Sequence, residues 1–132
     1  MALAFNQMLS QKEVLQLKDA VSHAKKPLYL FHDDPDGLAS FLLFYRTIKD
    51  GRGYCVKAFP HITQDFARHA ENCEADVIFV LDIAMVDQEF IDNVKQTVHW
   101  IDHHTPQQRE RVQYYNPRVT TGENVCTPVL CW

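Results

Sequence analysis

One histidine and three acids close an apolar run in Tyr29-Leu30-Phe31-His32-Asp33-Asp34-Pro35-Asp36-Gly37. The arrangement returns twice: Val77-Ile78-Phe79-Val80-Leu81 ends in Asp82, and Val98-His99-Trp100-Ile101 ends in Asp102-His103-His104. Carboxylate with imidazole is a donor set for manganese, magnesium, iron or zinc, and a poor one for copper(I) or an iron–sulfur cluster. His32, Asp34 and Asp36 alternate, so on an extended backbone their side chains point the same way. Pro35 stiffens the bend, and Gly37 permits a backbone shape that other residues resist. Together with Asp82, Asp102, His103 and His104 these donors exceed what one tetrahedral ion needs. Two ions about 3.5–4 Å apart, bridged by a carboxylate, would use them, activating water and stabilising both oxygens of an in-line displacement at phosphorus. Singly, each cluster has a plainer explanation: an acidic loop, a cap beside a helix, a solvated turn. What joins them is that all three stand where an apolar run stops.

For these ends to meet, the runs must be neighbouring strands with one edge in common. Leu28 to Phe31 reads as the first strand, Gly53 to Phe59 as a second, Asp76 to Leu81 as a third, Thr97 to Ile101 as a fourth and Val112 to Tyr115 as a fifth. Helical patterns lie between them. Ser10-Gln11-Lys12-Glu13 fits a capping box, with Leu9 and Val14 placed as a staple, ahead of a helix ending near Lys25-Lys26. Leu38 to Ile48 is apolar on most sides and predicts a largely buried helix. Thr63 caps a short helix through Asn72, Asp87 caps one running to about Lys95, and Cys126 to Trp132 begins a last one. Strand and helix in alternation predict an α/β fold, a Rossmann-like parallel sheet of about five strands with helices on both faces. Ligands of such sheets bind beyond the carboxyl ends of the strands, which is where the three clusters fall.

The 132 residues make one domain, and 46% apolar residues suffice for a core. A net charge of −4 excludes a basic platform for nucleic acid, so a phosphate substrate would need metal to offset repulsion. No run approaches the roughly 20 apolar residues of a membrane span. Met1-Ala2-Leu3-Ala4-Phe5 lacks the marks of a secretory signal, and the chain is read as cytoplasmic. Cys55, Cys73, Cys126 and Cys131 form no C-x-x-C pair and are read as free thiols. His23, His61 and His69 are read as surface histidines and His99 as a satisfied structural one. Arg109, Arg111 and Arg118 are read as a solvated face, and Trp100, Tyr114 and Tyr115 as core.

His32-Asp33-Asp34-Pro35-Asp36-Gly37-Leu38-Ala39-Ser40, then Leu81-Asp82, then Asp102-His103-His104 resemble the first three motifs of the DHH phosphoesterase superfamily, in the family's order. That superfamily includes RecJ-type exonucleases, nano-RNases, cyclic-dinucleotide phosphodiesterases, exopolyphosphatases and family II pyrophosphatases. The resemblance spans residues 27 to 120 and is closer to the RecJ-like and archaeal branch than to the pyrophosphatases. It implies that His32, Asp34 and Asp82 hold one divalent cation, and that Asp36, Asp82 and His103 hold the second. The catalytic roles fall to His104, facing the substrate phosphate, and to Asp102, orienting its neighbours; Asp33 faces away. The resemblance implies manganese as the ion, with magnesium second, and a metal-activated water as nucleophile. The implied substrate is a phosphodiester, in single-stranded nucleic acid or short oligonucleotides.

Two features depart from the family pattern. No aspartate follows Asp102, where the family supplies a further ligand; Glu110 and Glu123 are the only later acids. The family's smaller C-terminal domain has no counterpart within residues 1–132, which read as a single N-terminal domain. The alternative is therefore an inactive or regulatory metal- or nucleotide-binding module derived from such a hydrolase.

Overall fold

The computed structural model describes residues 8–57 and 59–131. Readings that fall on Met1 to Phe5, Ala58 and Trp132 lie outside the described residues. Five apolar segments form a wholly parallel sheet in the order β2-β1-β4-β6-β7: β1 (Leu28–His32), β2 (Arg52–Val56), β4 (Val77–Leu81), β6 (Thr97–Ile101) and β7 (Val112–Tyr115). A two-stranded parallel ribbon pairs β3 (His61–Ile62) with β5 (Met85–Val86). These two-residue strands are too short to show any periodicity.

Strand alternation divides the core into two layers. Leu28, Leu30, Ile78, Val80, Val98 and Trp100 face one side, where they meet α3 (Ala67–Asn72) and α4 (Gln88–Asn93) through Ala70, Phe90 and Ile91. Tyr29, Phe31, Phe79, Leu81 and Ile101 face the other side, where they meet α1 (Gln11–His23), α2 (Pro35–Ile48) and α6 (Thr127–Cys131) through Val14, Leu17, Phe44 and Leu130. Both faces of the central strands are thus covered, as parallel sheets require. Among the described residues no helix is long and apolar enough to cross a membrane.

Local chemistry explains the helix ends. Ser10 accepts from Glu13 N, and Glu13 Oε2 accepts from Ser10 N, completing the capping box. α1 stops at His23, short of Lys25-Lys26, because the amides of both lysines donate to the Asp76 carboxylate, at 2.7 and 2.9 Å. α2 begins three residues before Leu38, since Asp34 caps it through Gly37 N at 2.8 Å and Pro35 takes the first helical position. α2 is also less buried than its composition predicts: Gly37, Ser40 and Phe44 are buried and Phe41 stacks on Phe31, whereas Leu38, Leu42 and Tyr45 are 48%, 46% and 41% exposed. β2 ends at Val56 instead of Phe59. Thr63 leads a 3₁₀ turn (Gln64–Phe66) ahead of α3 and makes no capping bond. Asp87 opens α4 by position, but its carboxylate goes to His61 Nε2 at 2.6 Å, so His61 is paired across the ribbon. His69 is half-buried against Tyr54, with ring centroids 4.1 Å apart. A short α5 (Pro117–Thr120) follows β7, capped by Asn116 through Arg118 N.

The register fixes the carboxyl edge. Phe31 is level with Leu81, Leu81 with Ile101, and Ile101 with Tyr115. His32, Asp82, Asp102 and Asn116 are the next residues, so one row of polar side chains stands along the edge. Gly37 brings α2 onto it: a Cβ there would lie 2.1 Å from the His32 carbonyl oxygen. The glycine serves a close approach of helix to strand, within a helix of ordinary backbone shape.

Candidate metal centre

Asp82 is the middle of the site. It is fully buried, and its φ of 60° places it in the left-handed region, which aspartate tolerates better than most residues. Its amide still pairs with Ile101 O at 3.0 Å, so the chain leaves the sheet through this one residue. Trp100 Nε1 then donates to Ile83 O at 2.8 Å and holds the departing backbone. A strained conformation maintained by its surroundings is a frequent mark of a functional position.

Two groups of donor atoms meet at Asp82, each with its atoms within 4.8 Å of one another: His32, Asp34 and Asp82, and Asp82, His103 and His104. Asp36 stands outside both. Pro35 ends the extended backbone at Asp34, so the alternation that predicts convergence of His32, Asp34 and Asp36 stops one residue early. Asp33 also lies outside both groups and is 41% exposed, its Oδ1 3.3 Å from His32 Nε2. His32 Nδ1 lies 3.1 Å from Asp34 Oδ2 but out of line for a hydrogen bond, leaving this buried nitrogen without a partner.

On the other side, His103 Nε2 is 3.2 Å from Asp82 Oδ1, and its Nδ1 is 3.3 Å from Asn124 Oδ1. Donation from Nδ1 to Asn124 leaves Nε2 with its lone pair toward the carboxylate, an arrangement that calls for a proton or a cation between them. His104 Nδ1 lies 2.6 Å from Asp102 Oδ1, and His104 N donates to Asp102 Oδ2 at 3.1 Å. The fully buried Asp102 therefore fixes the ring and leaves Nε2 free. Asn116 Nδ2 donates to His104 O and to Tyr114 Oη, both at 2.9 Å.

The electrostatics follow from burial. Burial pushes the Asp82 carboxyl up to about 6, Thr127 opposes this through its hydrogen bond, and the nearby Asp34 adds to it. Burial also works to raise Asp34, but the Gly37 amide, Asp82 and His32 outweigh it and hold Asp34 below the usual carboxylate range. The hydrogen bond that its ring donates to Asp102 raises His104 despite burial. Two adjacent carboxyls that cannot both ionise cheaply share a proton, and a divalent cation would answer the same need. The orphaned, buried Asp82 Oδ2 and His32 Nδ1 fit this reading. Among the described residues the one arginine–carboxylate ion pair is Arg111 with Asp92 at 3.7 Å, away from these acids.

Other residues have structural employment. His99 Nδ1 meets Tyr115 Oη at 3.0 Å, and burial lowers its pKa to about 4. Trp100 stacks on Tyr114 at 4.1 Å. Arg109 is not a solvated side chain: its Nε donates to Val86 O at 2.7 Å. Thr127 and Asn124 escape a reading of strand ends, because they arrive from after β7. Their sequence signal is the polar stretch from Thr120 to Pro128 before the last apolar run, which resembles the family's lead into its next helix.

The family model for the DHH family, N-terminal domain, matches residues 28–131. Among solved structures the chain is similar to RecJ in complex with Mn2+ from Thermus thermophilus, at TM-score 0.72 and 16% identity, over 94% of this chain and 20% of that one. It is similar to exonuclease RecJ bound to manganese at TM-score 0.69 and 16% identity, over 91% of this chain and 34% of that one. An exopolyphosphatase-related protein from Bacteroides fragilis follows at TM-score 0.54 and 17% identity, over 83% of this chain and 40% of that one. The chain thus spans two fifths or less of the length of these neighbours. No curated protein sequence matches it significantly.

Proposed function

Because the chain belongs to the DHH family, through its N-terminal domain, we propose that it is a metal-dependent phosphoesterase, with residues 1–132 acting as one such domain. The observation that carries the reading is Asp82, common to both donor groups and left with a buried, unpartnered oxygen. His32, Asp34 and Asp82 would hold one divalent cation. Asp82 and His103 would hold a second, and the third donor within reach is His104 rather than Asp36. Manganese is the first expectation and magnesium the second; the RecJ neighbours were solved with manganese. When bound, two such ions polarise a phosphoryl oxygen and lower the pKa of a water molecule.

The chain's own residues prepare this chemistry. Asp102 keeps the proton of His104 on Nδ1, so Nε2 faces outward toward an ion or a phosphate oxygen. Asn124 does the same for His103. Thr127 is the hydroxyl nearest Asp82, but it is buried and donates its proton to Oδ1, so it is no nucleophile. Water from the open edge is the attacking group the site allows.

For substrate, single-stranded nucleic acid or short oligonucleotides come first, in line with the RecJ neighbours. The exopolyphosphatase-related neighbour keeps phosphoanhydrides in the comparison. Four free cysteines support a cytoplasmic location. Metal-stripped protein, assayed with Mn2+ or Mg2+ on bis-p-nitrophenyl phosphate, short oligonucleotides and polyphosphate, tests the reading. Turnover lost in Asp82→Ala supports it. Metal binding without turnover on any of the three replaces hydrolysis with binding, the regulatory-module alternative.

A further inference from the structure

Asp82 is gripped from the far end of the chain. Thr127 is fully buried, opens α6, and donates from Oγ1 to Asp82 Oδ1 at 2.8 Å across 45 residues of sequence. The same Oδ1 lies 3.2 Å from His103 Nε2, whereas Oδ2 has no partner. The two oxygens of a carboxylate are interchangeable until something stops its rotation. Here the hydroxyl stops it and commits Oδ1 to the His103 side. α6 is itself seated in the core, with Leu130 in one cluster with Phe44 and Ile101.

We propose that Thr127 is a positioning residue for the metal centre. It holds Asp82 so that Oδ2 remains free for the His32–Asp34 group, and it links the seating of α6 to cation binding. The proposal rests on the reading of Asp82 as a shared ligand. Groups that hydrogen-bond to metal ligands typically change metal affinity 10–100-fold when removed. Linkage is reciprocal, so if α6 steadies the ligand, a bound cation must steady α6.

The test uses the 132-residue chain, metal-stripped, titrated calorimetrically with MnCl2 near neutral pH. Amide exchange of Thr127 and residues 129–131 is followed with and without the metal. Thr127→Val keeps the shape and removes the donor; Thr127→Ser keeps the donor and removes the methyl. The valine variant is expected to bind Mn2+ about tenfold more weakly or worse, and the serine variant close to wild type. Mn2+ should slow exchange across α6 in wild type and Thr127→Ser, and not in Thr127→Val. Wild-type affinity in Thr127→Val overturns the role. A loss in Thr127→Ser as large as in Thr127→Val also overturns it, since packing would then be the cause. Absence of Mn2+ binding by the wild-type chain overturns the metal reading itself, which separates the two failures.

Discussion

Replacing Asp82 by asparagine should make the metal-free protein more stable while removing its response to metal. Asp82 is fully buried, and its pKa rises from 3.8 to about 6. At 1.36 kcal/mol per pKa unit, the rise amounts to about 3 kcal/mol. The folded-state pKa is the raised one, so this contribution is fully present below the unfolded value near 3.8 and is lost as pH rises through about 6. The amide of Asp82→Asn has nothing to ionise, can still accept from Thr127, and can donate to Asp34. At pH 8 the variant should exceed wild type by about 3 kcal/mol, and at pH 5, where wild type has regained its proton, by about half as much. For a chain of this size those figures correspond to about 10 and 5 °C in melting temperature. Asp34 works the other way, its depressed pKa giving stability that is lost on acidification, and the Gly37 amide and His32 that help depress it are present in both proteins. The assay is thermal melting of EDTA-treated protein at the two pH values, repeated with Mn2+. At a hundredfold excess over Kd, wild type should gain about 2.7 kcal/mol and the variant far less. A metal-free variant that melts below wild type at pH 8, or a gap that fails to narrow at pH 5, would refute the reasoning.

Gly37→Ala must push α2 off the end of β1, because the added carbon meets the His32 carbonyl at 2.1 Å; urea titration should show a loss of about 3 kcal/mol, and a change under about 0.5 kcal/mol would contradict the close approach. Tyr115→Phe removes the hydroxyl that meets buried His99 Nδ1 and should cost about 1–3 kcal/mol by the same titration, with Mn2+ binding unaltered. An unchanged midpoint would mean that His99 finds another partner.

Much of the fold was legible because it follows from local pattern. Residues 97–101 and 112–115 alternate into two buried layers and form strands with the bounds the pattern predicts. Ser10 and Glu13 cap α1 through contacts three residues apart. β3 and β5 were not legible, since two residues carry no period. Nor was the exposed stripe of α2, because composition states how apolar a helix is and not how many layers cover it. Asp87 satisfied the rule for a cap, yet it pairs with His61, a partner 26 residues away.

The sequence by itself determined the chemistry of the site. Residue types ending apolar runs specify hard, nitrogen- and oxygen-rich donors on one edge of a parallel sheet, because strand direction alone sends those ends to the same side. Only the tertiary structure decided which donors share an ion's reach. The level register of Phe31, Leu81 and Ile101 and the turn into α2 at Pro35 bring His32, Asp34, Asp82, His103 and His104 together and leave Asp36 apart. It also decided that Thr127 restrains Asp82, a bond between residues 45 apart that exists only once α6 is seated, since distance in space is set by packing and not by spacing in the chain.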